Sequence, residues 1–127
     1  MSDTMNSETA RDRRQRFGAQ RGRDLYWGFT LGFVVNVATM FMISLGGGIP
    51  KLAIIAAIVG TFIFVCVNSF DCMDDLEANT NDMGDEERAT NLGKKFLEAP
   101  WTMFKTLIVV IFGAITVCQL QDMWDTF

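Results

Sequence analysis

Three stretches of the chain, Leu25 to Leu45, Leu52 to Phe70 and Thr106 to Leu120, are apolar runs without a charged residue, and nearly all charge lies between and before them. The first run covers 21 positions and the second 19. At 1.5 Å rise per residue these lengths match a hydrocarbon core roughly 30 Å thick, so each predicts a transmembrane helix. The third is short if counted from Thr106, but Lys105 lies one turn inside Trp101 and its flexible stem can carry the ammonium back to the interface, so Trp101 to Leu120 also spans. The pattern predicts an all-α integral membrane protein with three transmembrane helices.

The remaining segments follow from these spans. Residues 1–24 form a basic arm, 25–45 the first helix, 46–50 a Gly-rich turn, 51–70 the second helix, 71–100 an acidic loop, 101–121 the third helix and 122–127 a tail. In the turn, Gly46 to Gly48 suit the left-handed conformation that ends a helix, and Pro50 suits the first turn of the next. Within the loop, Ala89, Leu92 and Phe96 share one helical side, which predicts a short interfacial helix over residues 86–97 with Asp85 capping its start. Gly93 weakens that helix.

At 100° per residue each span carries one small or polar face. The first is Gly28, Gly32, Asn36 and Thr39; the second Ala53, Ala57, Gly60, Thr61 and Asn68; the third Thr102, Thr106, Gly113 and Thr116. Lipid is as apolar as leucine, so helices associate through close approach at small residues and through interhelical hydrogen bonds. Two uses of these faces stay open: they face one another and close a monomeric bundle, or one of them binds another protein. Asn36, near mid-membrane, requires a partner. Asn68, Ser69 and Gln119 lie near predicted helix ends, where headgroups or water would serve them.

Charge then sets an orientation. The arm carries Arg11, Arg13, Arg14, Arg16, Arg21 and Arg23, and the loop side adds Arg88, Lys94, Lys95 and Lys105, against Lys51 alone on the opposite side. Short basic flanks stay in the cytoplasm, so both charged segments are expected there, with the C terminus outside. Trp27, Trp101 and Trp124 fall at the predicted boundaries, where amphipathic rings belong. The first 24 residues lack an apolar central run, so a cleaved signal peptide is not expected. A bacterial inner membrane is the expected location.

The stretch Asp71 to Glu87 holds more than half of the fifteen carboxylates and no basic residue. Laid on a calcium loop from Asp75, its ligand positions read Asp75, Glu77, Asn79, Asn81 and Glu86, but the position that requires glycine is Thr80. The chain has no histidine, which removes the commonest acid-base group and haem ligand. Cys66, Cys72 and Cys118 lack the spacing of a metal or redox pair, and no phosphate-binding loop occurs. No cofactor and no catalytic residue is expected. Asp71, Asp74 and Asp75, at the membrane edge, are the carboxylates placed to meet a partner or headgroup, and the rest of the stretch reads as solvated linker.

The layout resembles the small bacterial diacylglycerol kinases, which have a basic N-terminal region, three spans and an Asn-Ser pair at the cytoplasmic end of the second, here Asn68 and Ser69. That family's motif places glutamates three residues before and four after the asparagine, where this chain has Val65 and Cys72. The resemblance covers the arrangement and not the site. What remains is a small accessory or structural subunit of a larger membrane complex, in contact with membrane lipids including anionic headgroups and with membrane protein partners or a second copy. A self-oligomerising, holin-like pore is the alternative, and a small lipid-modifying enzyme a distant one. Nucleic acid is a minor option, since Phe17 is the only aromatic among the arginines.

Overall fold

A computed structural model describes residues 7–126. It contains three long helices, α1 (Glu8–Leu45), α2 (Lys51–Asn81) and, after two short ones, α5 (Trp101–Thr126). The short helices are α3 (Asp85–Arg88) and α4 (Asn91–Leu97). All three long helices are long and apolar enough to cross a membrane, so the chain is an all-α, multi-pass membrane protein. Phe127 lies outside the described residues.

The long helices outrun their apolar segments, α1 and α2 by the most. Helix α1 begins at Glu8, where the Ser7 hydroxyl accepts a hydrogen bond from Ala10 N, and continues without a break through the arginine arm. Arg, Gln, Glu and Ala are strong helix formers, so leaving the lipid does not end the helix. Helix α2 likewise continues past Phe70 to Asn81, about 16 Å beyond the apolar run at 1.5 Å per residue. The linker expected over this part of the acidic stretch is therefore helix, and Asp75 to Asn81 cannot wrap an ion as a loop would. Arg88 terminates α2 by donating to the carbonyls of Asn81 (2.6 Å) and Met83 (2.9 Å).

The single helix expected over residues 86–97 is two. Thr90 breaks it by accepting a hydrogen bond from Gly93 N at 3.0 Å, as an N-cap does, and Gly84 rather than Asp85 occupies the cap position of α3. Gly93 is required by packing, because a Cβ there would collide with the carbonyl oxygen of Glu87. At the other end of the molecule Gly46 and Gly48 have φ of 72° and 98°, the left-handed region that lets α1 stop and the chain reverse within a few residues.

The bundle core has two apolar layers. Ile43, Ile54, Ile58 and Met123 form one near the Gly-rich turn; Val65, Met73, Ile108 and Phe112 form the other toward the charged end. Between them along the helices sit Asn36, Thr39, Thr116 and Gln119, all buried. The first face predicted from sequence is buried as a unit: Gly28, Gly32, Asn36 and Thr39 all lie inside α1's contact surface. Phe112 fills the notch at Gly32 and stacks near Phe29 and Phe33, with centroids 6.2 and 5.0 Å away.

The faces expected on the other spans do not all turn inward. Helix α2 buries Ile54, Ile58, Val65 and Ser69 and leaves Ala53, Ala57 and Gly60 exposed, with Thr61 half-buried. On α5, Thr116 is buried and Gly113 half-buried, while Thr102 and Thr106 are exposed. The reason is shape. A helix surface made of glycines is a groove, and the surface that fills a groove is made of large side chains, so Gly32 meets Val65 and Phe112 rather than another glycine.

Candidate functional site: a charge-paired stalk at the end of the bundle

Beyond the apolar runs, α1 and α2 continue side by side as a two-helix stalk. Arg21 projects from α1 onto α2, where its guanidinium meets Asp71 at 2.5 Å and Asp75 at 2.6 Å, with Asp24 at 3.4 Å on its own helix. Burial opposes the charge of Arg21, but the hydrogen bond to Asp71 and the fields of the surrounding acidic groups outweigh it and hold this guanidinium above its ordinary range. At the same level of α2, Lys105 of α5 pairs with Asp74. The three aspartates placed by sequence at the membrane edge are thus all engaged by cations of the same chain.

Farther out, Arg14, only 8 % exposed, pairs with Glu87 of α3, and its backbone carbonyl accepts from Asn79 Nδ2 at 3.1 Å. Gly18 lets α1 approach closely there, since a Cβ would stand 3.2 Å from that same amide. Arg11 reaches Glu86 at 3.2 Å. The six arginines of the arm therefore divide by face. Arg11, Arg14 and Arg21 point into the stalk and are paired, whereas Arg13, Arg16 and Arg23 are exposed and take no part in the ion pairs among the described residues.

Buried polar groups collect at two levels. Gln119, 1 % exposed, donates through Nε2 to the Thr39 hydroxyl and to the backbone carbonyl of Asn36, both at 2.9 Å, while its Oε1 has no partner. This corrects the expectation that Gln119 sits at a watery helix end. Helix α5 runs on to Thr126, and Lys51 lies 5.3 Å from the ring centroid of Trp124, which marks the interface more than a turn beyond Gln119. The contact at Asn36 is made to its backbone carbonyl and not to the side-chain amide for which the sequence requires a partner.

At the second level Ser69 is fully buried with no partner for its hydroxyl, and the Asn68 Nδ2 is buried unpaired where Gly28 packs against that amide. The expectation that both are served by water at a helix end fails because α2 continues and α1 covers them. Cys72, in the same seam, is 1 % exposed, and burial above all pushes its thiol up, so it is a poor nucleophile and a poor acylation site. Cys66 and Cys118 are also free thiols.

No group of three or more acidic or thiol side chains among the described residues converges as metal ligands do. What the arrangement does chemically is hold two helices together by charge outside the membrane and by close packing within it. Comparison with protein-family models, with curated proteins and with solved structures finds no match, so no role is carried to this chain from a relative.

Proposed function

We propose that the chain is a small accessory or structural subunit of a larger membrane complex, with the stalk and both termini's charge asymmetry oriented by the basic residues so that the stalk lies in the cytoplasm. The observation that carries this reading is the division of contact groups between inside and outside. The bundle uses the α1 face Gly28–Gly32–Asn36–Thr39 and three arginines for itself, and leaves Ala53, Ala57 and Gly60 on the membrane surface and Arg13, Arg16 and Arg23 on the stalk surface. A Cβ at Gly60 would meet nothing within 4 Å, so a neighbouring helix has room for close approach there.

A pore would need its polar residues on a face shared between copies. Here Asn36, Thr39, Thr116 and Gln119 are buried within one chain, which gives that alternative no support. Lipid-modifying chemistry would need uncommitted carboxylates at the interface, and Asp71, Asp74 and Asp75 each hold a cation. The basic face fits an acidic protein segment or anionic headgroups, with Arg23 nearest the apolar run and Arg13 about 18 Å along the helix from Leu25.

The test is purification in mild detergent of the wild type and of an Ala57→Leu/Gly60→Leu variant, followed by native mass spectrometry. The wild type should run in an assembly of defined mass, and the variant should run alone while retaining the bundle. A wild type found alone at monomer mass under all conditions refutes the reading. A reporter fused after Asp82 and found outside the cell would refute the orientation separately.

A further inference from the structure

The stalk holds an open-sided cavity of about 650 Å3 between α1, the end of α2 and the two short helices. Two close contacts pin its edges, Gly18 against Asn79 and Gly93 against the Glu87 carbonyl. Between them the lining includes Ala19 and Thr80, side chains too small to fill the space. The volume falls in the range of roughly 300–1,000 Å3 typical of small-molecule sites.

Its walls are chemically two-sided. Leu76, Met83, Leu92 and Phe96 supply an apolar surface, and Arg11 and Arg14 add two basic residues to the lining. Leu92 and Phe96 remain 65 % and 43 % exposed, so the chain itself does not cover the apolar rim. Phe96 stands only five positions before Trp101, the interfacial residue that starts α5, so this rim lies within about 18 Å of that residue. An occupant with an apolar body can reach it from the adjacent leaflet.

The two arginines differ in what they can offer. Arg14 and Glu87 are mostly shielded, with side chains 10 % and 19 % exposed, and form part of the wall. Arg11 and Glu86 are 40 % and 66 % exposed, and ion pairs in that setting are weak enough for another anion to displace the glutamate. Arg11 therefore brings a partly exposed positive charge to the edge of an apolar cavity.

We infer that this cavity binds a single-chain anionic amphiphile, with its acyl chain along Leu76, Met83, Leu92 and Phe96 and its headgroup at Arg11. A fatty acid and a lysophospholipid share that chemistry, one offering a carboxylate and the other a phosphate. The inference stands apart from the proposed subunit role, because it concerns the stalk of one chain and needs no partner protein.

The full chain in nanodiscs of zwitterionic lipid is exposed to two photoreactive probes, a fatty acid and a lysophosphatidate, each with a diazirine in the chain. Saturable labelling should map to residues 76–96 and be competed by the unlabelled amphiphile, and the probe effective at lower concentration identifies the headgroup. Ala19→Phe, at an exposed position where folding is spared, should remove the saturable fraction; Leu92→Asp, also exposed, should do the same by charging the rim. Glu86→Gln should tighten binding by about two- to fivefold, the factor of an exposed ion pair. Labelling confined to the spans, labelling unchanged in both cavity variants, or equal competition by a zwitterionic single-chain lipid would overturn the inference.

Discussion

Replacing Gly32 by alanine isolates what the α1 groove contributes. A Cβ at this position would lie 2.5 Å from Val65 Cγ2 and 3.1 Å from Phe112 Cε1, and both neighbours are buried, so side chains or backbone must shift. Overpacking of this kind costs about 1–3 kcal/mol. The gain in helix propensity of alanine over glycine does not offset it, because α1 and α2 remain helical in lipid when they separate. Separation of the two helices should therefore become about 5- to 150-fold more favourable. Gly28→Ala meets only the end of the Asn68 side chain, whose buried Nδ2 holds no hydrogen bond, so that side chain can turn away and the effect falls at the low end. Gly60→Ala should change nothing, since its Cβ faces open space.

Cys72 reports the separation directly, being 1 % exposed in the α1–α2 seam. With Cys66 and Cys118 replaced by alanine, its labelling by a water-soluble thiol reagent in mild detergent measures the open fraction when reclosing is fast. The predicted order of rates is Gly32→Ala, then Gly28→Ala, then Gly60→Ala equal to the parent. Burial raises the Cys72 pKa above its ordinary 9.0, so the closed state is favoured below that pH and loses this contribution as the pH rises through it. The comparison therefore belongs near neutrality. Equal rates for Gly32→Ala and Gly60→Ala would refute the groove argument.

Two further outcomes follow from the polar groups. Gln119→Leu removes two hydrogen bonds but also a buried oxygen without a partner, so the bundle should change by less than about 1 kcal/mol, whereas Gln119→Glu places an ionisable group there and should cost about 2–3 kcal/mol or force its protonation; Cys72 labelling reads both. Arg21→Gln strips Asp71 and Asp75 of their cation and should raise Cys72 labelling several-fold at low salt, with the gap to the parent narrowing as salt screens the partly exposed pairs. Alkaline pH is no substitute for salt here: a raised guanidinium pKa keeps its contribution to a pH far above any usable range.

How much was legible in the sequence differs from helix to helix for physical reasons. Hydropathy located three spans because the lipid core imposes a length. It did not locate the helix ends, since the lipid boundary at Leu25 or Phe70 ends the apolar requirement and not the helix. The small face of α1 could be read because glycine, asparagine and threonine are conspicuous in an apolar run. The complementary face of α2 could not, because Ile54, Ile58 and Val65 look the same as the leucines and valines that face lipid. Small residues mark a groove on their own helix but say nothing of which isoleucine fills it.

The arm arginines were legible in principle by the same rule applied farther. Starting from Ile43, the α1 seam runs through Thr39, Asn36, Gly32, Gly28, Leu25, Arg21, Gly18, Arg14 and Arg11, in steps of three and four residues throughout. The seam never changes face; only its chemistry changes, from close packing in lipid to ion pairing in water. Reading the arm as a separate segment hid this continuity, and with it the division of the arginines, because Arg13, Arg16 and Arg23 fall off the seam while Arg11, Arg14 and Arg21 lie on it. In lipid, association comes from contact and hydrogen bonds, and beyond it the same two helices would separate unless charge and apolar contacts replaced what lipid-phase packing supplied. Asp71, Asp75 and Glu87 provide that replacement from the facing elements, which is why most of the acidic stretch is built into α2 itself instead of standing apart as a domain of its own.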